Sequence, residues 1–262
     1  MRAEHKHAMK LRRRNLALTV AYDGTNYSGF QWQSPPRVAV QNVLEERLSK
    51  IFGEPIELAA AGRTDAGVHA FGQVVNFFTD GRIAVDKIPI AARSVLPADV
   101  VVREAREVDR NFSALHSAHS KVYVYRIVRG AANNPFVGRF AWHIDRPLDV
   151  DAMAEALSLL VGTNDYTSFR AAGGAPNMSP VRTIYAAEIF DGELFGADVL
   201  TIKIHASGFL YHMARNIVAL TVAVGRGRVS VDGFRKIFAA RDRSLVPATA
   251  PACGLCLQEV LY

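Results

Sequence analysis

A chain of 262 residues, half of them apolar, is long enough to bury one or two hydrophobic cores. No run approaches the ~20 consecutive apolar residues that a bilayer-spanning helix needs, and no apolar stretch follows the basic N-terminus as in a secretory leader; a soluble, cytoplasmic protein is expected. The net charge of +6 is unevenly placed: residues 1–14 carry Arg2, Lys6, Lys10, Arg12, Arg13 and Arg14 against one acid, which reads as a basic, disordered arm, and the rest of the chain is nearly neutral.

After the arm, Leu16, Leu18, Val20 and Tyr22 alternate with smaller or polar residues and predict a strand, and Pro35-Pro36 break the segment that follows. Val40, Val43, Leu44, Leu48, Ile51 and Phe52 recur at helical spacing and Gly53 stops the run, so an amphipathic helix is expected there. Strands fit residues 56–61 and 72–79, a helix 86–95 closed by Pro97, and a strand 100–108. This β-α-β-β-α-β order is that of a ferredoxin-like unit.

The second half repeats the plan with one added helix: strand 122–128, helix 150–161, strands 182–190 and 198–206, helices 209–224 and 231–240, and strand 255–262. The halves are placed at residues 15–112 and 113–262. Residues 201–243 hold eight basic residues against Asp232 and Asp242, an expected footprint for phosphates. Residues 170–180 form a Gly/Pro-rich connection that reads either as a mobile loop over a site or as a surface loop with no task.

Cys253 and Cys256 are the only cysteines, which excludes a disulfide framework. Their C-x-x-C spacing lacks a second pair to complete a zinc site, and they read best as two small apolar strand residues. Signature loops for nucleotide phosphates and dinucleotides, nucleophile elbows and zinc-hydrolase helices are all missing, so no metal, nucleotide or other cofactor is expected.

Four features carry chemistry. Gly62 and Gly67 bracket Arg63-Thr64-Asp65-Ala66, which places a carboxylate in a tight strand-to-strand turn. An aspartate there commonly bonds its own backbone, and only its neighbours Arg63, Thr64 and His69 favour chemistry. Tyr123 and Tyr125 alternate with Val122 and Val124, which predicts two rings on one sheet face, either a platform for unstacked bases or cross-strand packing. Arg215 lies in a largely apolar helix with His212 and Asn216, where a guanidinium either pairs with an anion, Asp65 being the candidate, or snorkels to the surface.

On these residues the chain resembles the tRNA pseudouridine synthase A family. The likeness runs through Tyr22-Asp23-Gly24 with Tyr27, Gly29 and Gln31; Gly62-Arg-Thr-Asp-Ala-Gly-Val-His69; the Tyr123 strand; Asp165-Tyr-Thr-Ser-Phe-Arg170; Phe209 to Ile217; and Asp242-Arg-Ser-Leu245 through Gly254-Leu255. The octamer at 62–69 is the most specific of these. Phe30-Gln-Trp32, Ala214, Ala219 and Cys256 depart from the family pattern without touching those positions.

The resemblance implies an α+β pseudouridine synthase fold: two RRM-like halves joined into one bent, mainly antiparallel sheet with helices on its outer face. It implies a homodimer that converts uridine to pseudouridine at positions 38, 39 and 40 in the anticodon stem-loop of tRNA. Asp65 would be the catalytic nucleophile, Tyr123 the ring stacked on the target base, Arg215 the partner of Asp65, Leu255 part of the pocket wall, and Arg63 a contact to the flipped nucleotide. Attack at ribose C1′, attack at uracil C6 and assistance at C2′ all remain open. The rival reading is a non-catalytic tandem RRM-like RNA-binding module, which lacks its aromatic signature here.

Overall fold

The computed structural model describes residues 11–130, 134–173 and 178–262. They form two compact units: the chain up to His119 together with Leu257–Tyr262, and Ser120–Cys256. The chain divides between His119 and Ser120, and its C-terminal end belongs with the first unit.

The first unit runs β1 (Arg14–Tyr22), α1 (Val40–Phe52), β2 (Ala59–Ala60), β3 (His69–Thr79), α2 (Ile88–Arg93) and β4 (Val100–Val108). Its strands lie in the order β4-β1-β3, with β2 on the far side of β3, and all these neighbours are antiparallel. That is the ferredoxin-like order. Helix α1 forms where its apolar spacing predicts: Val40, Leu44, Leu48 and Phe52 are buried one turn apart. Gly53, at φ +68°, ends it by returning its N–H to the Ser49 carbonyl.

The strand expected over 56–61 shrinks to two residues for a visible reason. The Ile56 N–H goes to Ser49 Oγ (2.9 Å) and the Leu58 N–H to Glu45 Oε1 (2.9 Å), so α1 side chains take the donors a strand would have offered to a neighbour. Part of the arm is also ordered. Arg12 Nη1 donates to the Pro55 and Phe78 carbonyls and its Nε lies 3.3 Å from Glu54, while Arg14 opens β1 and reaches Glu107 and the Gly81 and Ile83 carbonyls. Residues 1–10 of the expected arm lie outside the described residues.

The second unit contains β5 (Ser120–Arg129), β6 (Trp142–Ile144), α3 (Val150–Ser158), β7 (Gly162–Asp165), β8 (Val181–Leu194), β9 (Ala197–Ala206), α4 (Met213–Gly225) and α5 (Val231–Ala240). The first two residues of β10 (Leu255–Leu261) complete it, and the strand order is β10-β5-β9-β8-β7. Stripped of β7, this is the ferredoxin-like order again. The short β6 and β7 were not predicted; at three and four residues, neither is long enough to show a period.

Helix α4 is the centre of this unit, with every residue except Arg215 buried. A Cβ on Gly225 would lie 2.4 Å from Met153 Sδ, so α3 and α4 pack closely there. The fully buried Asn216 is its polar hub: Nδ2 donates to the Phe169 carbonyl (2.8 Å), and Oδ1 accepts from Arg243 (3.0 Å) and Thr249 (2.8 Å). Mixed α+β architecture with mostly antiparallel pairing is what the sequence predicts.

Candidate functional site

Asp65 lies where expected, in the connection from β2 to β3. The turn is closed by main chain, Val68 N–H donating to the Asp65 carbonyl at 3.1 Å, with Gly67 at φ +77° in the position that favours glycine. Arg63 is exposed and Thr64 is buried.

What distinguishes this turn is the number of distant groups that hold it. The Gln73 carboxamide bonds Gly62 in both directions, donating to its carbonyl (2.8 Å) and accepting its N–H (3.3 Å). Tyr22, at the end of β1, shares a buried hydrogen bond of 2.7 Å with the Thr64 hydroxyl. Phe30 N–H donates to the Thr64 carbonyl at 3.0 Å, and Gly29, at φ +91°, lets that loop come close: a Cβ there would lie 2.9 Å from the same carbonyl oxygen. On the far side, Gly24 N–H donates to His69 Nδ1 at 3.0 Å. Asp23 Oδ1 lies 3.2 Å from the same nitrogen and accepts from the Thr25 N–H.

Removing one of these supports should be felt at Asp65. Tyr22→Phe deletes a buried hydrogen bond while keeping the ring, and is expected to cost about 1–2 kcal/mol in urea unfolding and roughly 10-fold in kcat. Unchanged values for both would mean that Thr64 is held without Tyr22.

Tyr123, Arg215 and Leu255 belong to the second unit. Tyr123 and Tyr125 do not form an exposed pair on an open sheet face: they are 8% and 1% exposed. Tyr125 is core, its hydroxyl donating to the Pro251 carbonyl (2.8 Å) and its ring so close to Gly254 that a Cβ there would lie 2.5 Å away. Burial raises its pKa well above the ordinary tyrosine value. Tyr123 instead meets Phe209 edge to face at 4.8 Å. The alternation was read correctly, but both faces of β5 are covered, and period alone does not say which is open.

Arg215 Nε donates to the Ala250 carbonyl at 2.8 Å. Leu255 opens β10 and is buried immediately after Gly254. Just before α4, His212 adopts φ +59°, an uncommon conformation for a residue with a Cβ, and its ring stacks on Tyr211 at 4.0 Å. This is why the helix expected from residue 209 starts at Met213.

Part of the basic footprint of 201–243 is engaged within the fold. Lys203 pairs with Glu188, Arg235 with Asp232 and Arg241 with Asp165, while Arg243 bonds Asn216, Thr249 and the Val246 and Pro247 carbonyls. Cys253 lies in a 3₁₀ turn and not in a strand, Cys256 in β10, and both are free thiols. Burial pushes the Cys253 thiol up, away from reactivity. Among the described residues no cluster of three or more His, Cys, Asp or Glu side chains is placed to hold a metal ion.

Sequence reasoning missed Tyr22, Gln73 and Asn216 as supports. Tyr22 was read as a strand residue and Asn216 as a polar exception on an apolar helix, both within segments that carry the resemblance but with no supporting role assigned. A buried amide on an otherwise apolar face was the available signal for Asn216; nothing local marked Gln73.

Comparison with known proteins gives this geometry a family. A family model described as tRNA pseudouridine synthase matches residues 18–115 and 156–262. The chain is 41% identical over 249 residues to the tRNA pseudouridine synthase A of Thermoanaerobacter sp. (strain X514), covering 95% of this chain and 100% of that one. It is 42% identical over 246 residues to that of Lacticaseibacillus casei (94% and 98% covered) and 43% over 250 residues to that of Moorella thermoacetica (94% and 99%). A solved chain from the crystal structure of a Cbf5-Nop10-Gar1 complex is similar at a TM-score of 0.35 and 14% identity, over 82% of this chain and 56% of that one. So distant a likeness leaves the assignment to the family match and the near-complete relatives, and on these the chain belongs to the tRNA pseudouridine synthase family.

Proposed function

We propose that this protein isomerises uridine to pseudouridine at positions 38, 39 and 40 in the anticodon stem-loop of tRNA, with Asp65 as the catalytic nucleophile. Family membership makes it an isomerase acting on uridine in tRNA. The observation that carries the finer reading is the Asp65 turn itself: a carboxylate on a short connection fastened by Gln73 from the strand that follows and by Tyr22 and the Phe30 N–H from far away in sequence. A turn with no task beyond joining two strands needs no such support, whereas a nucleophile must be held to within a fraction of an ångström.

The reaction breaks the N1–C1′ bond, turns the freed uracil and joins C5 to C1′; the C5 proton leaves and N1 is protonated, so nothing is oxidised or reduced. The base must first leave its stack, which costs a few kcal/mol and least in a loop or at a stem end. In this reading Tyr123 stacks on the flipped base, Arg215 pairs with Asp65 and favours its ionised form, Leu255 walls the pocket and Arg63 holds the nucleotide backbone. The protein acts as a homodimer in the cytoplasm, where its substrate is.

The test is release of tritium from uridine C5. A tRNA with labelled uridines at 38 to 40 should lose one tritium for each pseudouridine formed, and the same tRNA with cytidine at those positions should lose none. Equal release from both substrates would overturn the assignment of position, and no release from either would overturn the activity.

A further inference from the structure

Between α5 and β10, residues 241–254 form only two short 3₁₀ turns, Arg243–Leu245 and Ala252–Gly254. No strand ladder fixes their course, and Pro247 and Pro251 have no N–H to offer one. Side chains of the same unit hold them instead. At the start, the Asp242 N–H donates to Ser168 Oγ (3.1 Å), and Asp242 Oδ1 accepts from the Ser244 N–H (2.8 Å) and hydroxyl (2.7 Å). At the end, the Tyr125 hydroxyl donates to the Pro251 carbonyl and its ring covers Gly254.

The middle is held by one cation. Arg243 Nη1 donates to the Val246 carbonyl (2.7 Å), while Nη2 reaches Asn216 Oδ1 (3.0 Å), Thr249 Oγ1 (3.2 Å) and the Pro247 carbonyl (3.3 Å). The Thr249 hydroxyl donates onward to Asn216 Oδ1 (2.8 Å), and Asn216 Nδ2 anchors the group to the Phe169 carbonyl (2.8 Å). These acceptors are all neutral oxygens, so the charge of Arg243 strengthens bonds that bend residues 246–249 back onto α4.

The consequence falls on the next residue along each segment. Arg215 precedes Asn216 on α4, and Ala250 follows Thr249. The Ala250 carbonyl accepts from Arg215 Nε (2.8 Å), and the Ala250 N–H donates to the Arg215 carbonyl (3.4 Å). A guanidinium is planar, so a bond at Nε fixes the direction in which both Nη groups point. The place of Ala250 therefore decides how Arg215 is aimed, and Thr249 decides the place of Ala250.

We infer that Asn216, Arg243 and Thr249 are positioning residues for the isomerisation: together they fasten residues 246–250 to α4 and, through the Ala250 carbonyl, aim the Arg215 guanidinium. They act through Arg215 and need no contact of their own with the uridine. The inference rests on the reading of Arg215 as a residue of the site.

Thr249→Val keeps the shape of the side chain and removes the hydroxyl that joins Arg243 to Asn216. With the full chain isotopically labelled for NMR, the Arg215 Nε–H resonance is identified by its loss in Arg215→Lys. Its hydrogen should exchange with solvent at least about 10-fold faster in Thr249→Val. Tritium release from tRNA should slow roughly 10-fold in kcat, with KM within about twofold of wild type. Thr249→Ser should restore both readings. In the Arg215→Lys background, followed in single turnover with enzyme in excess, Thr249→Val should slow release by less than about twofold further, since nothing is left to aim. A residue that only stabilises the fold would not depend on the background in this way. Equal slowing in both backgrounds, an unchanged Arg215 resonance, or an unchanged kcat in Thr249→Val would overturn the inference. If Thr249→Val does not fold, judged by circular dichroism, Arg243→Lys carries the same expectations, because one ammonium cannot span Val246 and Asn216 as two guanidinium nitrogens do. The underlying reading is tested separately. Wild-type kcat in Arg215→Lys would remove Arg215 from the site and the inference with it, whereas an unchanged resonance in Thr249→Val removes the positioning alone.

Discussion

Asp65→Asn is expected to reduce tritium release from tRNA by at least about 10³-fold, while tRNA affinity stays within about threefold and stability within about 1 kcal/mol. Asparagine has nearly the same shape as aspartate. The turn depends on the main-chain bond from Val68 to Asp65 and on the positive φ of Gly67, neither of which involves the carboxylate. What the substitution removes is a charged oxygen nucleophile, and the amide that replaces it cannot form or break the bond to the substrate at a useful rate. Tritium release, anisotropy with labelled tRNA and urea unfolding measure the three quantities. Activity above a tenth of wild type would remove Asp65 from the chemistry, and an equal loss of affinity would recast it as a binding residue.

Gly24→Ala should be nearly as damaging although Gly24 carries no functional group. A Cβ there would lie 2.0 Å from the Val68 carbonyl oxygen and 2.6 Å from its carbon, both main-chain atoms of the segment that closes the Asp65 turn. No rotamer change relieves a clash with backbone, so either Gly24 or the turn must move. The expected cost is about 3 kcal/mol, the upper part of the usual range for overpacking. An ångström of displacement at the nucleophile is worth roughly 100-fold in kcat. Gly53→Ala is the control: it also has positive φ, +68°, but a Cβ there meets nothing within 4 Å. It should lose only about 1 kcal/mol of backbone preference and keep full activity. If the two variants behave alike in urea unfolding and in kcat, close approach at Gly24 does not position the turn.

Both predictions concern features of unequal visibility in the sequence. The glycines bracketing Asp65 mark a turn by themselves, because few other residues tolerate the conformation a tight reversal requires. That Gly24, some forty residues earlier, leaves room for the same turn is invisible without coordinates, and so are the bonds from Tyr22 to Thr64 and from Gln73 to Gly62. Tyr123 and Tyr125 show the limit of period: their alternation was legible, but whether that face is open or packed was not, and both rings are buried. Arg12 and Arg14 looked like part of a charged tail, yet each finds backbone carbonyls and an acid from distant segments.

The sequence by itself determined the order of the elements, the position of α1 and its stop at Gly53, the repeated βαββαβ plan and the placement of Asp65 in a turn. Each follows from periodicity or backbone preference acting within a few residues, where neighbours along the chain are also neighbours in space. Only the tertiary structure decided that the strand at 56–61 is cut to Ala59–Ala60 and that the last residues return to the first unit. These depend on which side chains compete for a donor, or on where distant segments pair. Contacts of that kind are fixed by packing, and packing leaves no period in the chain to read.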